Sequence, residues 1–276
     1  MKSLFEIEWR GGSAAKHFRK LRSLPDELPW GTIDKSKHPP KLVERARVAW
    51  SSIAISEYRA AAAFGDVLSA MLAARAPLDV VGMAGDFVAD ELMHVELASR
   101  LAMELGGGAP IEVDFEAMGA RSDAPTAFQR ANDLVMRVGC ISETLSGAIA
   151  VETSSVVEHP LVSGIVDRIA RDEARHTRLG WLYMEWAVLD MDEAERSRMA
   201  SFALREIARI SPVWNDRALP KAITAEQVRE HGWLDPEAFR ARAEKTILED
   251  VVDPLVRLGI PVDRERARQL FARPPK

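Results

Sequence analysis

The sequence predicts an all-α fold: a four-helix bundle with a long connection between its second and third helices, followed by further C-terminal helices. Apolar residues recur every three or four positions through four long stretches, the period of a helix with one buried face. Two pairs of these stretches are joined very tightly, at Ala76-Pro77 and His159-Pro160, whereas residues 106–124 form a longer linker. Antiparallel neighbours usually need about two to eight connecting residues, and a longer connection can run the length of a bundle.

The first two helices are expected over 40–75 and 77–105, and each carries polar residues inside its apolar stripe. Glu57 lies on the apolar face of the first helix. Glu91 and His94 interrupt that of the second. A buried carboxylate costs several kcal/mol unless it is paired or bound to a metal. The alternatives are a Glu57 that reaches water at the edge of the stripe and a core histidine bonded to a backbone carbonyl.

The third and fourth helices are expected over 125–158 and 160–190, and they repeat this plan with Glu143, Glu173 and His176. Small residues surround Glu143, which predicts either close helix packing or a pocket for a substrate or dioxygen beside the site. The residues predicted to line this pocket are Ala61, Ser146, Gly147 and Ala150. Beyond the fourth helix, helices are expected over 192–210, 225–231, 236–248, 250–258 and 262–271.

The chain is divided into three regions that are expected to form one domain: an N-terminal arm (1–40), the bundle (41–190) and a C-terminal helical extension (191–276). Trp9, Phe18 and Trp30 indicate that the arm, although irregular, packs on the body. The extension has too little apolar content for a core of its own. We therefore expect it to pack on the bundle or on a partner subunit.

The composition of the chain argues against several classes of partner and of metal site. The chain has 276 residues, of which 47% are hydrophobic and 29% charged, with a formal charge of −5. Without a Lys/Arg-rich tract, nucleic acid is not expected as a partner. No apolar run reaches the roughly 18 residues of a membrane span and no signal peptide is evident, so no membrane partner and a cytoplasmic location are expected. The single cysteine, Cys140, excludes an intrachain disulfide and a thiolate-rich metal site, and we interpret it as a packing residue.

The motif Glu-x-x-His places a carboxylate and an imidazole on one face of a helix, about one turn apart. A single copy is weak evidence for a metal site, but this chain has two. Each copy follows a helix that carries one Glu within its apolar stripe. Two Glu residues and two Glu-x-x-His motifs from four helices are the ligand set of a carboxylate-bridged di-metal site. The predicted metal ligands, and catalytic residues, are Glu57, Glu91, His94, Glu143, Glu173 and His176.

Charge balance favours two divalent ions, because four carboxylates and two neutral imidazoles exactly offset four positive charges. Without metal the carboxylates would repel one another, and some should take up protons. Carboxylate and imidazole ligands suit iron, with manganese or a mixed manganese–iron pair as alternatives. Two ferrous ions could together supply two electrons to dioxygen.

Residues 42–190 resemble the ferritin-like di-iron carboxylate superfamily. The run Ala-Arg-Asp-Glu-Ala-Arg-His at 170–176 resembles the corresponding helix of ribonucleotide reductase small subunits, and its Asp-Glu-x-Arg-His form resembles bacterial multicomponent monooxygenases and acyl carrier protein desaturases. The resemblance implies that Asp172 orients His94 and that Asp90 orients His176. The alternative for both aspartates is a surface ion pair, with Arg171 or Arg175 as the candidates for Asp172.

Departures from particular families narrow the resemblance. Ala98 stands where radical-bearing reductase subunits have a Tyr, Ser146 where rubrerythrins have an extra Glu, and Ile169 where arylamine N-oxygenases have an extra His. The expected function is therefore a non-haem di-iron oxidoreductase that activates dioxygen to hydroxylate or desaturate a small organic substrate, with electrons from a separate reductase. A ferroxidase or iron-binding protein without organic substrate is the alternative, and a helical interaction scaffold is a third. A homodimer is compatible with the extra helices.

Overall fold

The computed structural model describes residues 2–23, 28–215 and 224–272, and these residues are mostly helical, which confirms the all-α prediction. In chain order the helices are α1 (Gly12–Leu21), α2 (Pro40–Ala73), α3 (Leu78–Glu104), α4 (Ala127–Ser154), α5 (Pro160–Ala187), α6 (Glu193–Ile210), α7 (Pro212–Asn215), α8 (Ala225–Glu230), α9 (236–257) and α10 (Arg264–Gln269). Short strands β1 (Ser3–Leu4) and β2 (Glu112–Val113) pair antiparallel, and 3-10 turns span Lys35–Lys37 and Phe115–Ala117.

Proline and glycine set the ends of the long helices. Pro40 and Pro160 occupy the first turns of α2 and α5, where the missing N–H has no intrahelical partner to lose. The side chain of His159 accepts a hydrogen bond from the backbone N–H of Leu161, so this residue caps α5 rather than standing free in solvent. Gly106 follows α3 with a φ of 121°, a conformation that a side chain would disfavour.

Two helices contain π-helical segments that a regular 3.6-residue periodicity does not predict. In α4 the segment is Met136–Glu143, between α-helical Ala127–Val135 and Thr144–Ser154. In α9 it is Thr246–Val252. An extra residue per turn shifts the phase of every following side chain, and such segments are frequent at functional sites. In α4 the segment ends at Glu143, one of the predicted ligands.

The four long helices pack in pairs. Helix α2 lies along α3 and α4 lies along α5, while α3 contacts α5 and α2 contacts α4. The apolar core consists of two large clusters. One includes Phe64, Phe87 and Leu179, and the other includes Trp50, Leu97 and Ile165. Along α2 and α5, the predicted metal ligands lie between the residues of the two clusters.

The segment between α3 and α4 runs along α2. The backbone N–H of Ala109 donates to Ser51 Oγ at 2.9 Å, and that of Ala120 donates to Asp66 Oδ2 at 2.9 Å. Ser51 and Asp66 are four helical turns apart on α2. The connection therefore travels back along the helix instead of joining neighbouring helix ends.

The N-terminal arm is not irregular as expected, since it contains α1 and β1. Phe18 and Trp30 pack against the core cluster that contains Trp50, whereas Trp9 remains 52% exposed. Helix α1 has no fully buried residue. The arm is therefore attached to the long helices largely by partly buried side chains and by ion pairs.

The C-terminal extension packs on the long helices. Phe239 and Ile247 of α9 belong to the larger core cluster. Trp50 Nε1 donates to the carbonyl of His231 at 3.0 Å, which joins α2 to the extension. The predicted helices over 225–231, 236–248, 250–258 and 262–271 correspond to α8, α9 and α10 with shifted ends.

Helix α4 is long and apolar enough to cross a membrane by length and composition, with a mean hydropathy of 1.5, although the sequence predicted no such segment. The helix is mostly inside the molecule, as 61% of its apolar window is buried. A core helix passes the same test. The apolar character of α4 is thus accounted for by its packing.

Candidate metal centre

Four helices bring the six predicted ligand residues together. Helix α2 supplies Glu57, and α4 supplies Glu143 from the end of its π-helical segment. Helix α3 supplies Glu91 and His94, and α5 supplies Glu173 and His176. Five of the six are buried: Glu91, His94 and His176 are 0% exposed, Glu173 1% and Glu143 4%. Glu57 is half-buried.

The six side chains form two overlapping groups of four. Glu57 and His94 belong to one group and Glu143 and His176 to the other, while Glu91 and Glu173 belong to both. Within each group the candidate ligand atoms lie within 4.8 Å of one another. Two neighbouring cations with Glu91 and Glu173 between them would satisfy this arrangement. The groups can each hold a metal ion.

The imidazole Nδ1 atoms face the carboxylates. His94 Nδ1 lies 3.6 Å from Glu57 Oε2 and 3.6 Å from Glu91 Oε2. His176 Nδ1 lies 2.9 Å from Glu91 Oε1 and 3.4 Å from Glu143 Oε2. None of these four contacts is a hydrogen bond.

Orphaned polar atoms test whether these residues fit a metal. Both imidazole Nδ1 atoms are buried and lack a hydrogen-bond partner among the described residues, as do both carboxylate oxygens of Glu91 and one each of Glu143 and Glu173. Buried polar groups are normally hydrogen-bonded, and such a cluster of exceptions requires an explanation. All six atoms are lone-pair donors aimed at a common centre, which is what a pair of divalent ions needs.

The opposite nitrogen of each imidazole contacts an aspartate from the other half of the chain. His94 Nε2 lies 3.2 Å from Asp172 Oδ2, and His176 Nε2 lies 3.3 Å from Asp90 Oδ2. A hydrogen bond at Nε2 leaves the Nδ1 lone pair free for a metal ion and fixes the plane of the ring. This is the arrangement that the resemblance implies for Asp90 and Asp172.

Arginines surround both aspartates. Arg175 Nη2 donates to Asp90 Oδ2 at 2.9 Å and to Asp172 Oδ1 at 3.2 Å, so one guanidinium joins the two. Arg168 Nε donates to Asp172 Oδ2 at 2.7 Å, and Arg22 of the N-terminal arm donates to Asp90. The residue Arg171, one of the two expected partners of Asp172, is exposed instead.

Sequence reasoning missed Arg22 and Arg168. Arg168 had a signal, because it precedes Asp172 by four residues and therefore shares its helix face. Arg22 had none, since it lies 68 positions from Asp90 in a segment expected to be irregular.

The pKa values of the ligand residues in the absence of metal indicate that the site favours cations. Burial raises the pKa of Glu91 to about 7, and the charges of Glu143 and Glu57 add to this effect. Burial, then Glu143, also raises the pKa of Glu173 well above its usual range. Burial opposes protonation of His94, but the hydrogen bond to Asp172 and the nearby carboxylates of Glu57 and Glu91 hold its pKa well above the ordinary value. In the absence of metal, bound protons therefore take over the charge balance that two divalent ions would otherwise provide.

The pKa of His176 is likewise raised, because contacts with Asp90 and Glu143 outweigh the effect of burial. Asp90 and Asp172 behave in the opposite way. Burial works against their ionisation, but His176 and Arg22 hold the pKa of Asp90 below its usual value, and His94 and Arg168 hold that of Asp172 below its own. Both aspartates therefore remain anionic acceptors for the imidazole N–H groups.

Close backbone packing explains part of the small-residue pattern near Glu143. A Cβ on Gly139 would lie 2.8 Å from Gly180 Cα, so α4 and α5 touch through their backbones one turn from the ligands. Cys140 at this contact is buried, and burial raises the pKa of its thiol, as expected for an inert packing residue. Beside the ligand His176, Thr177 Oγ1 donates to the carbonyl of Glu143 at 3.2 Å.

A cavity of about 390 Å³ lies beside this contact, between α4, α5 and α9. Of the four predicted pocket residues, only Gly147 lines it. Ser146 is exposed, Ala150 is half-buried against a core cluster, and Ala61 is buried at 7% exposure. The prediction chose small residues beside Glu143 on one helix face, whereas the cavity opens on the adjacent face.

Comparisons with models of protein families, with curated proteins and with solved structures found no match to this chain.

Proposed function

We propose that this protein is a non-haem di-iron oxidoreductase that activates dioxygen to oxidise a small organic substrate. The observation that carries the proposal is the pair of overlapping ligand groups that share Glu91 and Glu173. Two shared carboxylates would hold two ions as neighbours, which a mononuclear or purely structural site does not need. Two ferrous ions held there would supply two electrons to dioxygen.

We also propose that α2 to α5 form a ferritin-like four-helix bundle. The pairing of α2 with α3 and of α4 with α5, together with the segment that runs back along α2, supports hairpin, crossover, hairpin connectivity. The same superfamily resemblance supports iron, with manganese or a mixed pair as alternatives.

The residues of this chain would have distinct roles. Glu57 and His94 would help to hold one ion and Glu143 and His176 the other, and Glu91 and Glu173 would serve both. Asp90 and Asp172 would accept the Nε2 protons and keep both rings in the ligating tautomer. Phe64 and Phe87 pack against the His176 ring, with centroid distances of 5.4 and 4.4 Å, and would exclude water from that side.

Hydroxylation would place one atom of dioxygen in the substrate and release the other as water, which consumes two electrons and two protons from outside the site. A separate reductase is therefore part of the proposal, and a homodimer with the extension at its interface is compatible with it.

The test is oxygen uptake by protein loaded anaerobically with ferrous iron. We expect about one dioxygen consumed for each pair of bound ferrous ions, and multiple turnovers once reductant is supplied. Glu143→Ala should abolish rapid uptake, whereas Glu152→Ala, a half-buried Glu of the same helix outside the cluster, should not. Uptake unaffected by Glu143→Ala would refute the proposal, and continued iron oxidation with growth of a ferric mineral would indicate the ferroxidase alternative.

A further inference from the structure

The cavity between α4, α5 and α9 is separated from the metal centre by a single layer of side chains. Its inner end is formed by Thr144 and Thr177, which directly follow the ligands Glu143 and His176 in sequence. At Gly147, which also lines the cavity, a Cβ would lie 3.2 Å from Thr177 Oγ1 and 3.4 Å from Glu173 Cβ. The cavity and the ligand cluster thus share a wall that includes Thr144, Gly147 and Thr177.

One polar atom at this inner end lacks a partner. Thr144 is 5% exposed, and its Oγ1 has no hydrogen-bond partner among the described residues. A buried hydroxyl without a partner is unfavourable, and a polar ligand group that reached it would remove this cost. Thr177, by contrast, is already bonded to the carbonyl of Glu143.

The outer wall carries charges of both signs. Glu249 and Asp250 come from the π-helical segment of α9, and Arg257 lies two turns further along the same helix. All three are exposed, and the described part of the chain offers them no ion pair. The charge of Glu249 acts on Arg264, but Arg264 is already engaged elsewhere, because its Nε donates a hydrogen bond to Asp253 Oδ1 at 2.8 Å.

The opposite wall is apolar and aromatic. It includes Val151 of α4 and the half-buried Trp181 of α5. An indole face attracts an ammonium group as well as hydrocarbon. A volume of about 390 Å³ is within the range for small-molecule sites.

We propose that this cavity binds a small zwitterion, an amino-acid-like molecule whose ammonium group faces Glu249 and Asp250 and whose carboxylate faces Arg257. Its hydrocarbon portion lies against Trp181 and Val151, and its inner end reaches Thr144. The binding is independent of the metal chemistry. The further step, that this molecule is the organic substrate, rests on the proposed function.

The test is calorimetric titration of the purified protein, at known metal content, with four probes of matched length: 6-aminohexanoate, hexylamine, hexanoate and hexanol. We expect 6-aminohexanoate to bind at least about tenfold more tightly than any of the other three, because only it pairs with both charged ends. Equal affinity for all four probes, tighter binding of hexylamine, or no binding at all would overturn the proposal.

Charge-neutral variants locate the ligand. Glu249→Gln and Arg257→Gln should each weaken 6-aminohexanoate binding about tenfold, and Ala148→Phe, which fills the cavity from α4, should abolish it. Matched controls are Glu185→Gln and Arg266→Gln, which remove exposed charges outside the cavity. Binding that survives all three cavity variants would place the ligand elsewhere and overturn the proposal.

Oxygen uptake separates this inference from the proposed function. Zwitterion binding without iron-dependent oxygen uptake would leave the cavity assignment standing and refute the di-iron proposal. Iron-dependent uptake without zwitterion binding would do the reverse.

Discussion

Asp90 Oδ2 lies 3.3 Å from Nε2 of His176, although the two residues are 86 positions apart in the chain. The reciprocal contact joins Asp172 to His94 at 3.2 Å. Each half of the four-helix region thus orients the imidazole of the other half. The metal affinity of both ions should depend on these two carboxylates.

We expect Asp90→Asn to lower metal affinity about 10–100-fold, because it removes the anionic acceptor that fixes the tautomer and plane of His176. A titration against a coloured chelator measures this. Asp86→Asn is the matched control: Asp86 also bonds Arg22, at 2.8 Å, but does not contact an imidazole. Equal losses in the two variants would show that Arg22 anchoring, and not imidazole orientation, is responsible.

Bridging and terminal carboxylates should differ in stoichiometry. Glu57→Ala should keep about one ion per chain, since Glu57 belongs to one ligand group only, whereas Glu91→Ala should lose both. Elemental analysis after removal of loosely bound metal gives the ratio of metal to protein. A Glu57 variant that binds no metal, or a Glu91 variant that binds one ion tightly, would contradict the sharing of Glu91.

Metal binding should release protons. The raised pKa values of His94, His176 and Glu173, and that of Glu91 at about 7, mean that the metal-free cluster holds protons at neutral pH which divalent ions must displace. Apparent affinity should therefore rise with pH. Calorimetry in buffers of different ionisation enthalpy gives the number of protons released, and a value near zero would contradict the charge state described for the cluster.

The glycine contact between α4 and α5 should be intolerant of a methyl group. A Cβ on Gly180 would lie 2.5 Å from the carbonyl carbon of Gly139, so Gly180→Ala should destabilise the fold by about 1–3 kcal/mol and displace His176. Gly82→Ala is the control. Nothing lies within 4 Å of a Cβ on this helical glycine, and the substitution should stabilise by about 0.5–1 kcal/mol. Thermal unfolding of both variants distinguishes the two effects.

His231 should make stability pH-dependent in the acid range. Burial, then the charges of His38 and His159, lowers its pKa to about 4 from an ordinary value of 6.5. The unfolded state therefore binds more protons between these values. The contribution of His231 to stability should be complete above pH 6.5 and should be lost as the pH decreases toward 4, by at most about 3 kcal/mol.

His231→Gln should flatten this part of the profile in denaturant unfolding, whereas loss of the exposed His17 should leave it unchanged. An identical pH profile for wild type and His231→Gln would mean that other groups account for the dependence.

The ligand cluster could be predicted from the sequence because its chemistry conflicts with its surroundings. Glu57 and Glu143 interrupt the apolar stripes of the first and third helices. The two Glu-x-x-His motifs interrupt those of the second and fourth helices. Such conflicts are costly enough to be conspicuous, and the structure brings all six side chains together.

Other features had no comparable signal. The π-helical segment before Glu143 changes the phase by one residue, which the apolar pattern tolerates without a visible break. Arg22 reaches the site from an arm whose helix has no buried residue and hence no pattern linked to the core. The cavity depends on how α9 lies against α4 and α5, and helical periodicity does not specify relative placement of distant helices.

The exchange of aspartates between halves also sets the order of events during synthesis. When the ribosome has completed α3 at Glu104, His94 and Glu91 are present, but Asp172 is still 68 codons away. Neither imidazole can acquire its orienting carboxylate before α5 has emerged. Metal capture is therefore expected late in the maturation of the nascent chain. A product that terminates within α4 would lack Asp172, Glu173 and His176 and could not assemble the ligand cluster.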